Sequence, residues 1–132
     1  MKSPYILLFS TLVVVFASCK KESEDPELVH SWKLIEILAD PGDGSGTFQP
    51  VSSDKTISFF EDGTVTSNGI LCQMSSESGT GSAGTYSETE LSITPDNCGV
   101  AAFEMNYEFD GVNLIINYPC FEPCREKYEP VN

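Results

Sequence analysis

Phe103-Glu104-Met105-Asn106-Tyr107-Glu108-Phe109-Asp110-Gly111 decides the fold of this chain. Every odd position from 103 to 109 is apolar or aromatic, and every even one is polar. Side chains alternate between the two faces of a β-strand, so the segment buries one face and wets the other. Asp110-Gly111 supplies a dipeptide that tolerates the positive φ angles of a tight hairpin turn. Val112, Leu114, Ile116 and Tyr118 then resume the alternation, with Asn113 and Asn117 between them. The spacing predicts a β-hairpin.

The same pattern recurs on either side. Thr56–Phe60 and Thr64–Ser67 flank a turn at Glu61-Asp62-Gly63, and Gly84–Ser87 joins Leu91–Thr94 through Glu88-Thr89-Glu90. Leu28–Leu38 fits helical spacing as well as period two, and the pleated-surface preference of Trp32, Ile35 and Ile37 favours a strand. Arg125–Val131 reads as the last strand. About eight short strands result, at the spacing of a barrel or sandwich. Asp40–Gly46 and Ser75–Gly84, rich in Gly and Ser, read as mobile connections. If the strands run up and down in chain order, the turns at 61–63, 88–90 and 110–111 share one end. The connections that hold the cysteines then share the other.

The chain has 132 residues, enough for one domain. Only Lys2 is charged among the first 18 residues; from residue 19 onward six Lys and Arg stand against 20 Asp and Glu, a net charge of −14. Such a surface repels phosphate backbones, which excludes nucleic acid as a partner, and it attracts basic proteins. Residues 1–18 have a basic start, an apolar run from Ile6 to Ala17, and small residues before a cut, the layout of an export signal. Twelve helical residues cover about 18 Å, short of the roughly 30 Å needed to span a bilayer.

Phe16-Ala17-Ser18-Cys19 resembles the lipobox of bacterial lipoproteins, in which the Cys becomes the lipidated first residue of the mature chain. The resemblance implies a palmitate-type anchor on Cys19 and a membrane location. Residues 19–27 are polar and charged, too poor in apolar surface to offset their ordering entropy, and read as a flexible tether. They are similar to the start of outer-membrane lipoproteins of Bacteroidota-type bacteria. With Cys19 lipidated, Cys72, Cys98, Cys120 and Cys124 remain for two disulfides in an oxidising compartment. The spacing of Cys120 and Cys124 loosely suits zinc, but Cys72 and Cys98 do not form a second close pair. Four thiols permit three connectivities. Cys72–Cys98 with a local Cys120–Cys124 loop comes first, and Cys98 paired into the 120–124 segment comes close behind.

Leu28-Val29-His30-Ser31-Trp32-Lys33-Leu34, Ile57-Ser58-Phe59-Phe60-Glu61-Asp62-Gly63-Thr64-Val65 and the Cys120–Tyr128 ending resemble the lipocalin-like domains of small bacterial lipoproteins. The resemblance covers most of residues 28–132. It implies an all-β fold, an antiparallel up-and-down meander closed as a small barrel, with room for a small apolar ligand. Trp32, Phe59, Phe103, Met105, Tyr107 and Leu114 are its candidate lining, although each also suits plain core packing. A lipid-anchored ligand-binding barrel is therefore one expectation. A solid barrel acting as an envelope interaction module is the other.

An enzyme is not expected. His30 is the sole histidine and is placed in the opening strand, where a structural role is favoured. No nucleophile elbow, zinc-protease helix or phosphate loop is present. Pairs such as Glu88/Glu90 and Glu104/Glu108 are common in so acidic a chain. Asp40, Asp43 and Ser45 lack the spacing of a calcium loop. No cofactor or metal is expected.

Overall fold

A computed structural model describes residues 26–99 and 103–131. The export segment, Cys19 and all of the tether before Pro26 lie outside the described residues. Nine strands occur in the order β1 (Ser31–Ala39), β2 (Gln49–Pro50), β3 (Thr56–Phe59), β4 (Thr64–Ser67), β5 (Ser82–Ser87), β6 (Ser92–Pro95), β7 (Met105–Asp110), β8 (Asn113–Asn117) and β9 (Cys124–Pro130). From β3 to β9 each strand pairs antiparallel with the next. Strand β1 pairs with β3 on one side and with β9 on the other, from Trp32↔Pro130 to Ala39↔Cys124, which closes an eight-stranded barrel. The opening segment is thus a strand.

The short β2 is the ninth. It continues the edge that β3 begins, pairing Glu36↔Pro50 and Ile37↔Gln49 farther along β1. Between them the chain swings out, with Val51 N–H donating to Ile35 O at 2.9 Å and Leu34 N–H to Lys55 O at 3.0 Å. A bulge between Leu34 and Glu36 shifts the β1–β9 register there. It inserts one extra residue and re-aims the face beyond it. Ile37 therefore joins Trp32 and Leu34 against the core despite its odd number.

The core follows the alternation. Trp32, Ile57, Val65, Leu71, Ile93, Met105, Leu114, Ile116 and Tyr128 are each 0 % accessible, which leaves no water-sized space beside any of them. A small barrel of this strand number is just wide enough for its side chains to fill it. Gly84 is needed where β5 pairs closely with β6 at Pro95, because a Cβ there would lie 2.5 Å from Thr94 O.

The two-ended arrangement holds. The turns after β3, β5 and β7 are short and lie at one end, and the longer connections carrying Cys72, Cys98 and Cys120 lie at the other, where Cys124 opens β9. Disulfides join Cys72 to Cys98 and Cys120 to Cys124. Three strand ends differ from expectation. Leu91 and Val112 continue the apolar alternation and Phe60 extends the apolar run of β3, yet each stands in the turn and is exposed. The ladder stops where the turn closes, one residue short of where the apolar pattern does.

Candidate functional site: the two ends of the barrel

The long-loop end is organised around a carboxylate. In β9, Cys124, Glu126 and Tyr128 face inward, and Lys55, just before β3, is in phase with inward-facing Ile57 and Phe59 within it. Both Lys55 and Glu126 are fully buried. Lys55 Nζ donates to both carboxylate oxygens of Glu126, at 2.9 and 3.0 Å, and to Ser75 O at 3.0 Å. Glu126 also accepts from Ser75 N–H at 2.8 Å, from Tyr118 Oη at 2.7 Å, and from Tyr128 Oη. Burial, followed by the Glu126 charge, pushes both phenols well above the ordinary value of 10.0.

This cluster gathers a base, an acid and two phenols, the ingredients of proton-transfer chemistry. Its geometry is that of a lock. All of its charged and phenolic groups are buried, their hydrogen bonds are spent on one another and on Ser75, and no buried side-chain N or O among the described residues lacks a partner. It ties the connection between β4 and β5 to the barrel wall. That connection, expected to be mobile, is thereby pinned at Ser75. The Asp40–Gly46 loop is likewise held by its own carboxylate, since Asp40 accepts from the N–H groups of Gly42, Gly44 and Gly46. These bonds, led by that from Gly46, hold the Asp40 carboxyl below its ordinary value.

The six candidate lining residues come together, but around one another. Trp32, Phe59, Met105, Tyr107 and Leu114 are buried in the core cluster, and half-buried Phe103 packs against it. Phe59 meets Tyr86 edge-on at 5.2 Å and Tyr107 at 6.3 Å between centroids. Of the described crevices, the one at the short-turn end touches a single one of the six, Tyr107, and the others touch none. One of about 520 Å³ lies over the swung-out segment, lined by Lys33, Ile35, Pro50, Ser53, Asp54 and Glu129. It is polar and flanks the barrel wall.

The short-turn end differs in character. Chain entry closes it, with Leu28 buried and its carbonyl accepting from Trp32 Nε1–H at 3.0 Å. His30 lies just before β1, not within it, exposed and 3.8 Å from the Glu27 carboxylate. A crevice of about 290 Å³ opens here, lined by Glu27, Leu28, Glu88, Leu91, Tyr107 and Phe109. Small-molecule sites start at roughly this volume, so it suits one side chain better than a whole ligand. Burial and then the nearby Glu88 carboxylate push the Tyr107 phenol up to about 12.

Sequence reasoning missed the Lys55–Glu126 pair, although the signal was there. Each is a charged residue in phase with the inward face of its strand. No helix among the described residues is long and apolar enough to cross a membrane, and they contain no cluster of three or more metal-ligating side chains. No family model, curated protein or solved structure matches the chain, which leaves the core and the two ends of the barrel as the ground for a function.

Proposed function

We propose that this is a lipid-anchored protein of a bacterial cell envelope, held at the outer membrane through Cys19, whose filled barrel serves as a non-enzymatic interaction module. The observation that carries the reading is the sealed interior. Nine core side chains with no accessible surface leave no place for an apolar ligand among them unless the core opens. The buried ion cluster, with every hydrogen bond satisfied, favours a rigid body over a catalytic one. The anchor follows from the resemblance of Phe16–Cys19 to a lipobox, and the acidic barrel stands off anionic lipid on its tether.

Two measurements test it. Native mass spectrometry of the full chain released from detergent is expected to give the lipidated chain alone. A stoichiometric small molecule would restore the ligand-binding reading. Fractionation of cells expressing Cys19→Ser should move the protein out of the membrane fraction, and retention there would refute the anchor.

A further inference from the structure

The exposed large apolar residues are not scattered over the barrel. Of five among the described residues, four lie at the short-turn end: Phe60 (45 % exposed), Leu91 (48 %), Val112 (66 %) and Val131 (46 %). Each occupies a different junction: β3 to β4, β5 to β6, β7 to β8, and the end of β9 beside the start of β1. Eight strands about 4.8 Å apart and tilted about 40° make a rim roughly 16 Å across. One partner surface can span it. Single exposed apolar residues are ordinary, but one at every junction of a single end forms a ring.

Leu91 adds an independent observation. Its φ is +52°, the left-handed region that Gly or Asn occupies at little cost and a bulky residue does not. The turn geometry would be better served by either. The side chain is half exposed, so burial does not account for keeping Leu there. Strain held at an exposed position points to a use outside the fold.

The charges define what would sit on the ring. Glu61, Asp62, Glu88 and Glu90 occupy the same turns, and among the described residues none is paired with a Lys or Arg. The described cations, Lys33, Lys55, Arg125 and Lys127, all lie outside these turns. An apolar crevice with Glu27 and Glu88 in its wall suits a Lys or Arg, whose aliphatic stem packs on Leu91 and Phe109 while its head meets a carboxylate. An anionic bilayer would be repelled by the same groups.

We propose that the short-turn rim is the docking surface for a basic, apolar segment of another protein, with one of its Lys or Arg side chains seated in the crevice beside Leu91. This rests on the interaction-module reading and assigns that module its surface and the chemistry of its partner.

The test uses the full chain in nanodiscs of zwitterionic phosphatidylethanolamine, with binding read above empty discs. The probes are three synthetic peptides, made of Lys and Leu, of Lys and Ser, and of Glu and Leu. The Lys/Leu peptide should bind at least tenfold more tightly than either other, and more weakly as salt is raised. Leu91→Asn should weaken it at least tenfold while leaving Tm unchanged or higher, a combination that a structural role for Leu91 would not give. Glu88→Gln with Glu90→Gln should weaken it similarly, and Phe121→Ser at the opposite end should not. Undiminished binding by Leu91→Asn, or equal binding of all three peptides, overturns the proposal. Loss with Phe121→Ser alone moves the interface to the long-loop end and leaves the module reading standing. Absence of peptide binding together with a copurifying small molecule overturns both. Association of Cys19→Ser protein with lipid vesicles, lost on Leu91→Asn, identifies a bilayer as the occupant and overturns the protein-partner assignment.

Discussion

Breaking the Lys55–Glu126 pair from one side should cost far more than removing it whole. Lys55→Met leaves the Glu126 carboxylate with no accessible surface, still accepting from Tyr118, Tyr128 and Ser75 N–H but without its cation. An uncompensated buried charge of this kind costs about 3–5 kcal/mol. Glu126→Gln strands the ammonium instead, with Ser75 O and an amide as its remaining acceptors, at a similar cost. Against a total stability of about 5–15 kcal/mol, either change takes a large share. The double variant carries neither charge. Its Gln carbonyl cannot replace both carboxylate oxygens, so one phenol or the Ser75 amide goes unpaired, worth about 1–3 kcal/mol. The two single costs therefore exceed the double by at least about 3 kcal/mol. Equilibrium urea unfolding with disulfides intact, followed by fluorescence of the one tryptophan, Trp32, measures all four corners of the cycle. Additivity within about 0.5 kcal/mol, or a single variant costing under about 1, would refute the account of this cluster as a charge-balanced lock.

Gly84→Ala should destabilise by about 1–3 kcal/mol, because its Cβ would meet backbone at Thr94 O (2.5 Å) and Pro95 Cα (2.8 Å); an unchanged urea midpoint would show that the β5–β6 pairing is looser than this. Replacing Cys72 and Cys98 together with Ala opens a 26-residue separation and should cost about 3.5 kcal/mol, against about 2 for the four-residue Cys120–Cys124 link. Equal losses in urea unfolding would contradict that ordering, and the oxidised chain should titrate no free thiol among these four. Alkali should unfold the protein cooperatively. Tyr107, raised to about 12, and Tyr118 and Tyr128, raised well above 10.0, stay neutral in the fold while the unfolded chain ionises near 10.0, so stability is complete below pH 10 and falls as pH climbs past it. Phenolate absorbance and loss of fold should therefore coincide; independent titration of all tyrosines near pH 10 in a folded chain would refute the buried network.

What was legible in the sequence is what period two and turn chemistry control. The 103–118 hairpin and the grouping of short turns at one end follow from local rules, whereas the cysteine pairing is a choice among three connectivities that the fold decides. The bulge after Leu34 and the β2 edge do not follow from local rules either, because they arise from fitting a nine-residue strand to two partners at once. Lys55 and Glu126 were each visible as a charge in phase with apolar neighbours. What joins them is a separation of 71 residues, and only closure of β1 on β9 brings that contact about.

The misplacement of Phe60, Leu91 and Val112 has a different origin. Alternation says which face a residue would take if the strand continued, and is silent on where pairing ends. Leu91 and Val112 fit the inward phase and would have been core had the ladder run one residue farther, whereas Phe60, next to inward-facing Phe59, takes the outward phase. Instead the turns release them, and at Leu91 the release costs backbone strain that Gly or Asn would avoid. A sequence under selection for the barrel alone has no reason to keep apolar side chains at those three tips. Core-like residues held just outside the core, on the end opposite the disulfides and the ion lock, divide the molecule: the stapled end sets rigidity, and the rim is left free to make contact.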